Sequence, residues 1–360
     1  MAAIIGRLRL RTQGIAGARP ARPEDVVARL GAVQAQDYLG ALWAVGLRVG
    51  GAQEADVERA LTGRRLVRTW ALRGTLHLVA AADIHWMLAL LMPRIIALGA
   101  ARHRQLGLDE ATFARSREVC HLALQGGRQL TRPNLFQALE SGGISTAGQR
   151  GIHILGRLAH EGLICFGARQ GKQFTFTLLD EWLAPAHRPG KQLAREDALK
   201  ELTQRYFTSR GPATVADFAW WAGLTLADAR AGLEMARPHL ASDVIAGETY
   251  WRPSALPAVA EAASAACLLP AFDEYLVGYQ DRDAVLDPAH VRQINAGGGM
   301  LNPVIVTDGQ VAGIWKRTLK KSAVFVTPVW FIAPKTAQLR AFTQAAERYG
   351  EFLGLRVEVA

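Results

Sequence analysis

Residues 131–178 read TRPNLFQALESGGISTAGQRGIHILGRLAHEGLICFGARQGKQFTFTL, and the order of elements in this stretch decides the fold. Thr131-Arg132-Pro133 has the form of an N-cap followed by a first-turn proline, which opens a short helix through Leu139. Gly142-Gly143 breaks that helix, and Ser145-Thr146 leads into another from about Gln149 to His160. After Gly162 the pattern changes to two short β-rich runs, Leu163–Phe166 and Gln173–Leu178. They are joined by Gly167-Ala168-Arg169-Gln170-Gly171-Lys172, which has Gly and polar residues where a hairpin needs them. A helix over Ala111–Gln125, with Phe113, Val119, Leu122 and Leu124 at helical spacing, comes before them. Three helices followed by a hairpin is the order of a winged-helix unit.

The same order recurs on both sides. Downstream, the pattern predicts helices over Arg195–Ser209, Val215–Trp221 and Leu226–Arg237, then a hairpin over Val244–Trp251 turning near Gly247. Upstream it predicts helices over Pro23–Leu30, Tyr38–Leu47 and Glu54–Leu61, then a hairpin of Leu66–Trp70 with Thr75–Val79 around Arg73-Gly74. From Cys267 the character shifts. Leu301–Thr307, Gln310–Trp315 and Ala323–Phe331 read as strands with Asp308-Gly309 as a hairpin turn, Lys335–Tyr349 as an amphipathic helix and Gly354–Val359 as a last strand. Asn295–Gly299 reads as a flexible loop. The expected fold class is α+β, with three tandem winged-helix modules and a C-terminal mixed α/β domain. The expected divisions are 1–110, 111–190, 191–260 and 261–360.

The 360 residues are 50% apolar and 21% charged, the balance of a globular chain with room for two or three cores. The apolar stretch His85–Ala100 is interrupted by Pro93-Arg94 and falls short of a membrane span. Basic residues at the N-terminus are followed by no apolar secretory segment. Cys120, Cys165 and Cys267 are far apart, so neither a disulfide framework nor a Cys-x-x-Cys site is expected. A cytoplasmic, nucleoid-associated protein follows as the expectation. Net charge is +10, and residues 1–260 hold the excess, because residues 261–360 carry 10 Lys+Arg against 10 Asp+Glu. That distribution suits a polyanion partner, although arginine enrichment from base composition would produce it too.

Phosphate-loop, nucleophile-elbow, zinc-protease and dinucleotide signatures are absent, and the 9 histidines are scattered, so no metal and no cofactor is expected. The segment Leu30-Gly31-Ala32-Val33-Gln34-Ala35-Gln36-Asp37-Tyr38 puts two carboxamides at i and i+2 between two predicted helices. On an extended connection both amides lie on one side of the chain. They could form a catalytic pair, or simply satisfy backbone groups in a tight connection.

This segment, together with Arg68-Thr69-Trp70-Ala71-Leu72-Arg73-Gly74-Thr75-Leu76-His77-Leu78, resembles the AlkZ/YcaQ-like winged-helix DNA glycosylases. Leu269–Leu276, Gly278–Arg282 and Gly313–Arg317 carry the likeness onward, in order, over nearly the whole chain. The resemblance implies tandem winged helices forming a concave DNA channel, and excision of alkylated bases or unhooking of interstrand crosslinks. It also implies a catalytic signature of Gln, an apolar residue, then Gln or Asp. Gln34-Ala35-Gln36 is the Gln/Gln form and resembles the AlkZ branch.

On that resemblance, Gln34 and Gln36 are the catalytic candidates. A carboxamide is no general base at neutral pH, so the pair suits a base already poised to leave, such as a cationic N7-alkylpurine. Asp37 could supply a base or could cap the Tyr38–Leu47 helix. The first lysine is Lys172, far in sequence from the glutamines, which favours monofunctional hydrolysis over Schiff-base lyase chemistry. The candidate DNA contacts are Arg68, Arg73 and His77 on the first wing, Arg150 and Arg157 on the helix in the recognition position, Arg169 and Lys172 on its wing, and Lys316 and Arg317 in the C-terminal domain. His77 could instead be a core residue. Trp43, Trp70, Trp220 and Trp221 are expected in the core. The expected partner is double-stranded DNA with alkylated bases, bound by a monomer, with no membrane. The alternative is a non-catalytic winged-helix DNA-binding protein or transcriptional regulator.

Overall fold

Asp109 shows how local chemistry starts the central run of elements. Its carboxylate accepts hydrogen bonds from the backbone N–H and the hydroxyl of Thr112 at 2.8 and 2.6 Å, capping the Glu110–Leu124 helix. A strand, Leu130–Thr131, comes next, and then the helices Arg132–Ser141 and Arg150–His160. Thr131 holds the N-cap position of the first of these without a side-chain capping bond, and Pro133 stands in its first turn. The hairpin strands are Ile164–Phe166 and Thr175–Leu178. The order is the one read from residues 111–179, with ends moved by one or two residues.

The computed structural model describes residues 2–185, 192–255 and 265–359, so the expected divisions at 190/191 and 260/261 lie outside the described residues. The chain forms two compact units, each discontinuous in sequence. One comprises Arg59–Leu199 with Ala222–Leu224; the other comprises Met1–Glu58, Lys200–Trp221 and Thr225–Ala360.

In the Arg59–Leu199 unit an antiparallel sheet runs in the order Leu76–Ala80, Leu66–Trp70, Ile164–Phe166, Thr175–Leu178, Leu130–Thr131. Ile154, Leu155 and Leu158 lie on one face of their helix at zero exposure, in a core shared with Phe113, Leu135, Leu139 and Ile164. Trp70 packs on that core, 5.1 Å from the Phe166 ring, as expected of a core tryptophan. Pro93 does not interrupt its helix, which runs from Ile84 to Gln105. Pro93 and Ala89, whose carbonyl loses its helical donor to the proline, are both exposed, so water can replace the missing bond. By length and composition this helix could cross a membrane, yet Trp86, Met87, Leu91 and Met92 in its first half are at most 2% exposed.

The other unit is built around a sheet ordered Arg356–Val359, Ala323–Trp330, Gln310–Leu319, Val304–Thr307, Ala266–Leu269, antiparallel except for the first pair. Asp308 and Gly309 both have positive φ, 51° and 79°, as the predicted two-residue hairpin requires. The Thr336–Leu353 helix buries Phe342, Ala346, Tyr349 and Phe352. Trp43, on the Tyr38–Gly46 helix, meets the Tyr349 and Phe352 rings at 5.0 Å each, and its indole N–H donates to Leu268 O at 2.7 Å. Asn295–Gly299 is not a bare loop: Asn295–Gly297 pairs with Met300–Leu301. The helix Ala2–Thr12 had no counterpart in the sequence reading.

His160, in the Arg59–Leu199 unit, has a buried Nε2 without a hydrogen-bond partner among the described residues. Burial, reinforced by His103 and Arg157, pushes its pKa down from 6.5 to about 4. The unfolded chain therefore binds a proton at this site between those values while the folded chain does not, and stability falls as pH drops from 6.5 towards 4. By the usual 1.4 kcal/mol per pH unit, the loss should reach about 3 kcal/mol. Urea melts of His160→Leu at pH 7 and pH 4.5 should show that portion of the acid sensitivity gone; an unchanged slope would contradict it.

Candidate active site

The Pro23–Leu30 helix ends at Gly31, whose φ of 77° is easily adopted only by glycine. The next residues are extended: Val33–Gln34 is a two-residue strand, and Gln36 leads into the Tyr38–Gly46 helix. The segment is therefore of the kind in which i and i+2 share a face. Ala35 has zero exposure, Gln34 is 8% exposed and Gln36 is open to solvent.

A buried ion pair holds the backbone of this segment. Arg210 donates to Leu30 O at 2.6 Å and to Ala32 O at 3.1 Å, while its Nη2 meets Glu274 Oε2 at 2.6 Å. Glu274 Oε1 accepts the Gln34 backbone N–H at 2.9 Å, and its Oε2 also accepts the Trp221 indole N–H at 3.0 Å. The Arg210 guanidinium lies 4.1 Å over the Trp221 ring. Arg210, Trp221 and Glu274 all have zero exposure. One charge pair thus fixes carbonyls before the Gln-Ala-Gln motif and an N–H inside it.

A second pair backs the first. Arg48 reaches both oxygens of Asp273 at 2.9 and 2.8 Å and Gln13 Oε1 at 2.8 Å. Burial alone would lower the Arg48 pKa, but Asp273 outweighs it and the guanidinium is held more firmly charged. Gln13 Nε2 donates to the Tyr279 hydroxyl at 3.0 Å, and that hydroxyl donates to Arg210 O at 2.7 Å. Burial pushes the Tyr279 phenol up to about 12 and Tyr206 and Tyr275 well above their ordinary value. These phenols stay protonated at neutral pH, so they donate hydrogen bonds and do not act as bases.

Asp37 occupies the N-cap position of the Tyr38–Gly46 helix but makes no side-chain capping bond, which corrects the capping expectation. Its carboxylate still lies against the first turn, since a Cβ on Gly40 would come within 2.6 Å of Asp37 Oδ2. There it meets the positive end of the helix dipole. Arg317 Nη2 stands 4.0 Å from Asp37 Oδ2, and the same guanidinium hydrogen-bonds the Tyr349 hydroxyl. The fold thus brings Arg317 to the residue beside Gln36, while Lys316, next to it on the strand, is exposed.

The remaining candidates belong to the Arg59–Leu199 unit. His77 has zero exposure, and its Nδ1 faces Thr75 O at 2.9 Å, so its side chain is the core alternative and not a surface contact. Arg68 is 5% exposed, with its guanidinium 4.5 and 4.3 Å from the Phe166 and Phe174 ring centres. Burial removes both from the phosphate-contacting set. Arg157 is met by Glu110 at 3.0 Å and Glu161 at 2.6 Å, and Arg150 ties the Leu106 and Gly107 carbonyls to Ser145 O. Both are half-buried, and these contacts occupy their guanidiniums. Arg73, half-buried with φ 53°, Arg169, half-buried, and Lys172, exposed, stay within reach of solvent. Among the described residues no three His, Cys, Asp or Glu side chains gather as a metal-binding group.

Glu274, Arg210, Asp273 and Arg48 were not singled out as functional in the sequence. The available signal was two adjacent carboxylates, Asp273-Glu274, in the otherwise apolar run Leu268–Leu276. A carboxylate pair in such a run is buried only with partners.

Residues 27–352 match the family described as DNA glycosylase AlkZ-like. A curated relative from Streptomyces sahachiroi, named interstrand DNA cross-link repair glycosylase, is 30% identical over 324 residues, covering 84% of each chain. The solved structure of the Streptomyces sahachiroi DNA glycosylase AlkZ superposes with a TM-score of 0.82 at 25% identity, over 99% of each chain. The fold, mixed α/β, and the sequence agree on the class: this chain belongs to the AlkZ-like DNA glycosylase family. It is a DNA glycosylase, and the reading as a non-catalytic regulator falls away.

If the ion pair organises the motif, its two halves must be strongly coupled. Glu274→Gln and Arg210→Met should each cost about 3–5 kcal/mol by leaving a buried charge alone. The double variant should cost less than the sum by at least about 1 kcal/mol, measured by denaturant unfolding. Strict additivity would show that the pair does not act as a unit.

Proposed function

We propose that this enzyme hydrolyses the N-glycosidic bond of cationic N7-alkylated purines in double-stranded DNA, with Gln34 and Gln36 positioning the attacking water. The observation that carries this reading is the extended Gln34-Ala35-Gln36 segment, pinned through its backbone by Glu274 and Arg210 while Gln36 stays exposed. Pinning the backbone leaves the carboxamides to work from a fixed origin. An N7-alkylpurine carries positive charge and departs without being protonated, so no general acid is needed. The enzyme must hold water at the anomeric carbon and present fixed dipoles to a cationic sugar, and carboxamide oxygens do both. The name of the Streptomyces sahachiroi relative extends the candidate substrates to interstrand crosslinks.

The recurrent order of three helices and a hairpin supports a reading as three winged-helix modules, which enter DNA by helix and wing. Of the basic candidates, Lys172 and Lys316 are exposed and Arg73, Arg169 and Arg317 half-buried, and these are the proposed phosphate contacts. The three free, buried cysteines make no demand for an oxidising compartment, consistent with a cytoplasmic monomer working at the nucleoid.

Incubation with duplex DNA carrying N7-methylguanine should release the free base and leave an alkali-labile abasic site. Gln34→Ala/Gln36→Ala should release it at least about 100-fold more slowly, in line with loss of positioning and dipolar stabilisation. Undiminished release would remove the glutamines from the mechanism. Borohydride added during turnover should trap no covalent protein–DNA adduct, because hydrolysis by water forms no imine; a trapped adduct would mean lyase chemistry through an amine.

A further inference from the structure

A cavity of about 330 Å³ lies entirely within the unit that holds Gln34, lined by Arg19, Trp43, Gly46, Gly51, Arg348 and Glu351 among others. Arg48, Arg157 and Arg210 all sit against carboxylates, whereas neither Arg19 nor Arg348 makes an ion pair among the described residues. Arg19 donates through Nη2 to Ile15 O at 3.0 Å, and Arg348 through Nη2 to Leu47 O at 3.1 Å. The Arg19 Nε is buried without a hydrogen-bond partner. Each guanidinium has five N–H donors, so most of this donor capacity is unused.

Two half-buried cations facing one cavity, with Glu351 as the carboxylate beside them, are in tension. Burial lowers the pKa of both arginines, and Arg19 further lowers that of Arg348. Such an arrangement is costly unless an anion completes it. Trp43 and Phe352, packed against each other, line the cavity, and Gly46 fits against the Phe352 ring with no space for a Cβ. The cavity is thus rigid on its aromatic side and cationic at its arginines.

The geometry points to a phosphate-binding site, in which a phosphate group is held between the guanidiniums of Arg19 and Arg348. Paired guanidinium forks match phosphate oxygens closely, and the bond is strengthened by charge. The cavity leaves room beyond a single phosphate group, as a phosphate ester needs. The ester can come from the DNA backbone or from a free phosphorylated small molecule.

The test uses inorganic phosphate as the probe, against chloride at matched ionic strength. Isothermal titration of the full chain should give saturable phosphate binding. In Arg19→Gln/Arg348→Gln the affinity should fall at least tenfold, and in Arg19→Lys/Arg348→Lys it should be weaker than wild type yet measurable. The glutamine variant should melt no lower than wild type in phosphate-free buffer, since the repulsion is gone, and should lose the phosphate-induced rise in Tm. No saturable binding by wild type, or equal binding by the glutamine variant, would overturn the site. The titration of wild type stands even if that variant folds poorly. Undamaged duplex DNA separates the sources. Displacement of phosphate by DNA, with DNA affinity reduced at least fivefold and a shallower salt slope in the glutamine variant, assigns the site to the backbone. Phosphate bound alongside DNA, with DNA affinity unaltered in the variant, assigns it to a free phosphate ester.

Discussion

The Glu274 carboxylate is the constraint on which this architecture rests. It has zero exposure, and it takes hydrogen bonds from the Gln34 backbone, from Arg210 and from the Trp221 indole. A carboxylate in such a place is tolerable only if its charge and its lone pairs are met. Meeting them draws together three stretches that are far apart in the chain: the connection after Leu30, the end of the Arg195–Arg210 helix, and the short helix beginning at Glu274. Asp273, one residue away, does the same through Arg48, which in turn holds Gln13. The result is a polar knot inside one compact unit, whose exact geometry a hydrophobic core alone would not enforce.

On the proposed reading, that knot is what lets a motif of weak chemical groups serve as a catalytic centre. Glutamine brings neither a proton nor a strong nucleophile, so its usefulness depends on where its dipole is held. The backbone of the Gln-Ala-Gln segment is anchored by charge-assisted hydrogen bonds, which are stronger and more directional than neutral ones. The neighbouring tyrosines remain phenols because of their burial, so they serve as hydrogen-bond donors and not as bases.

The arginines divide by circumstance and not by position in sequence. Arg68 lies between aromatic rings, Arg157 between carboxylates, and Arg150 against helix-end carbonyls. A net charge of +10 therefore overstates the cations available to a polyanion, since many serve packing and pairing. Arg19 and Arg348 lie half-buried beside a cavity, with no carboxylate paired to either among the described residues.

Helices and hairpins were legible in the sequence because their signals are local: Pro and Gly at helix ends, Asp308-Gly309 at a turn, and apolar periodicity at Phe113, Val119 and Leu124. The Gln34-Ala35-Gln36 motif was equally legible as an extended pair, because its neighbours break helix on both sides. What no local pattern carried was burial. His77 and Arg68 alternate along strands as wing residues do, yet both are interior, Arg68 with its guanidinium against the Phe166 and Phe174 rings. Nor could spacing reveal that Glu274, 240 residues from Gln34, holds its N–H. The sequence by itself determined the elements and the motif, through interactions a few residues long. Only the tertiary structure decided which charges are buried and what they grip, because desolvation depends on everything packed around a group.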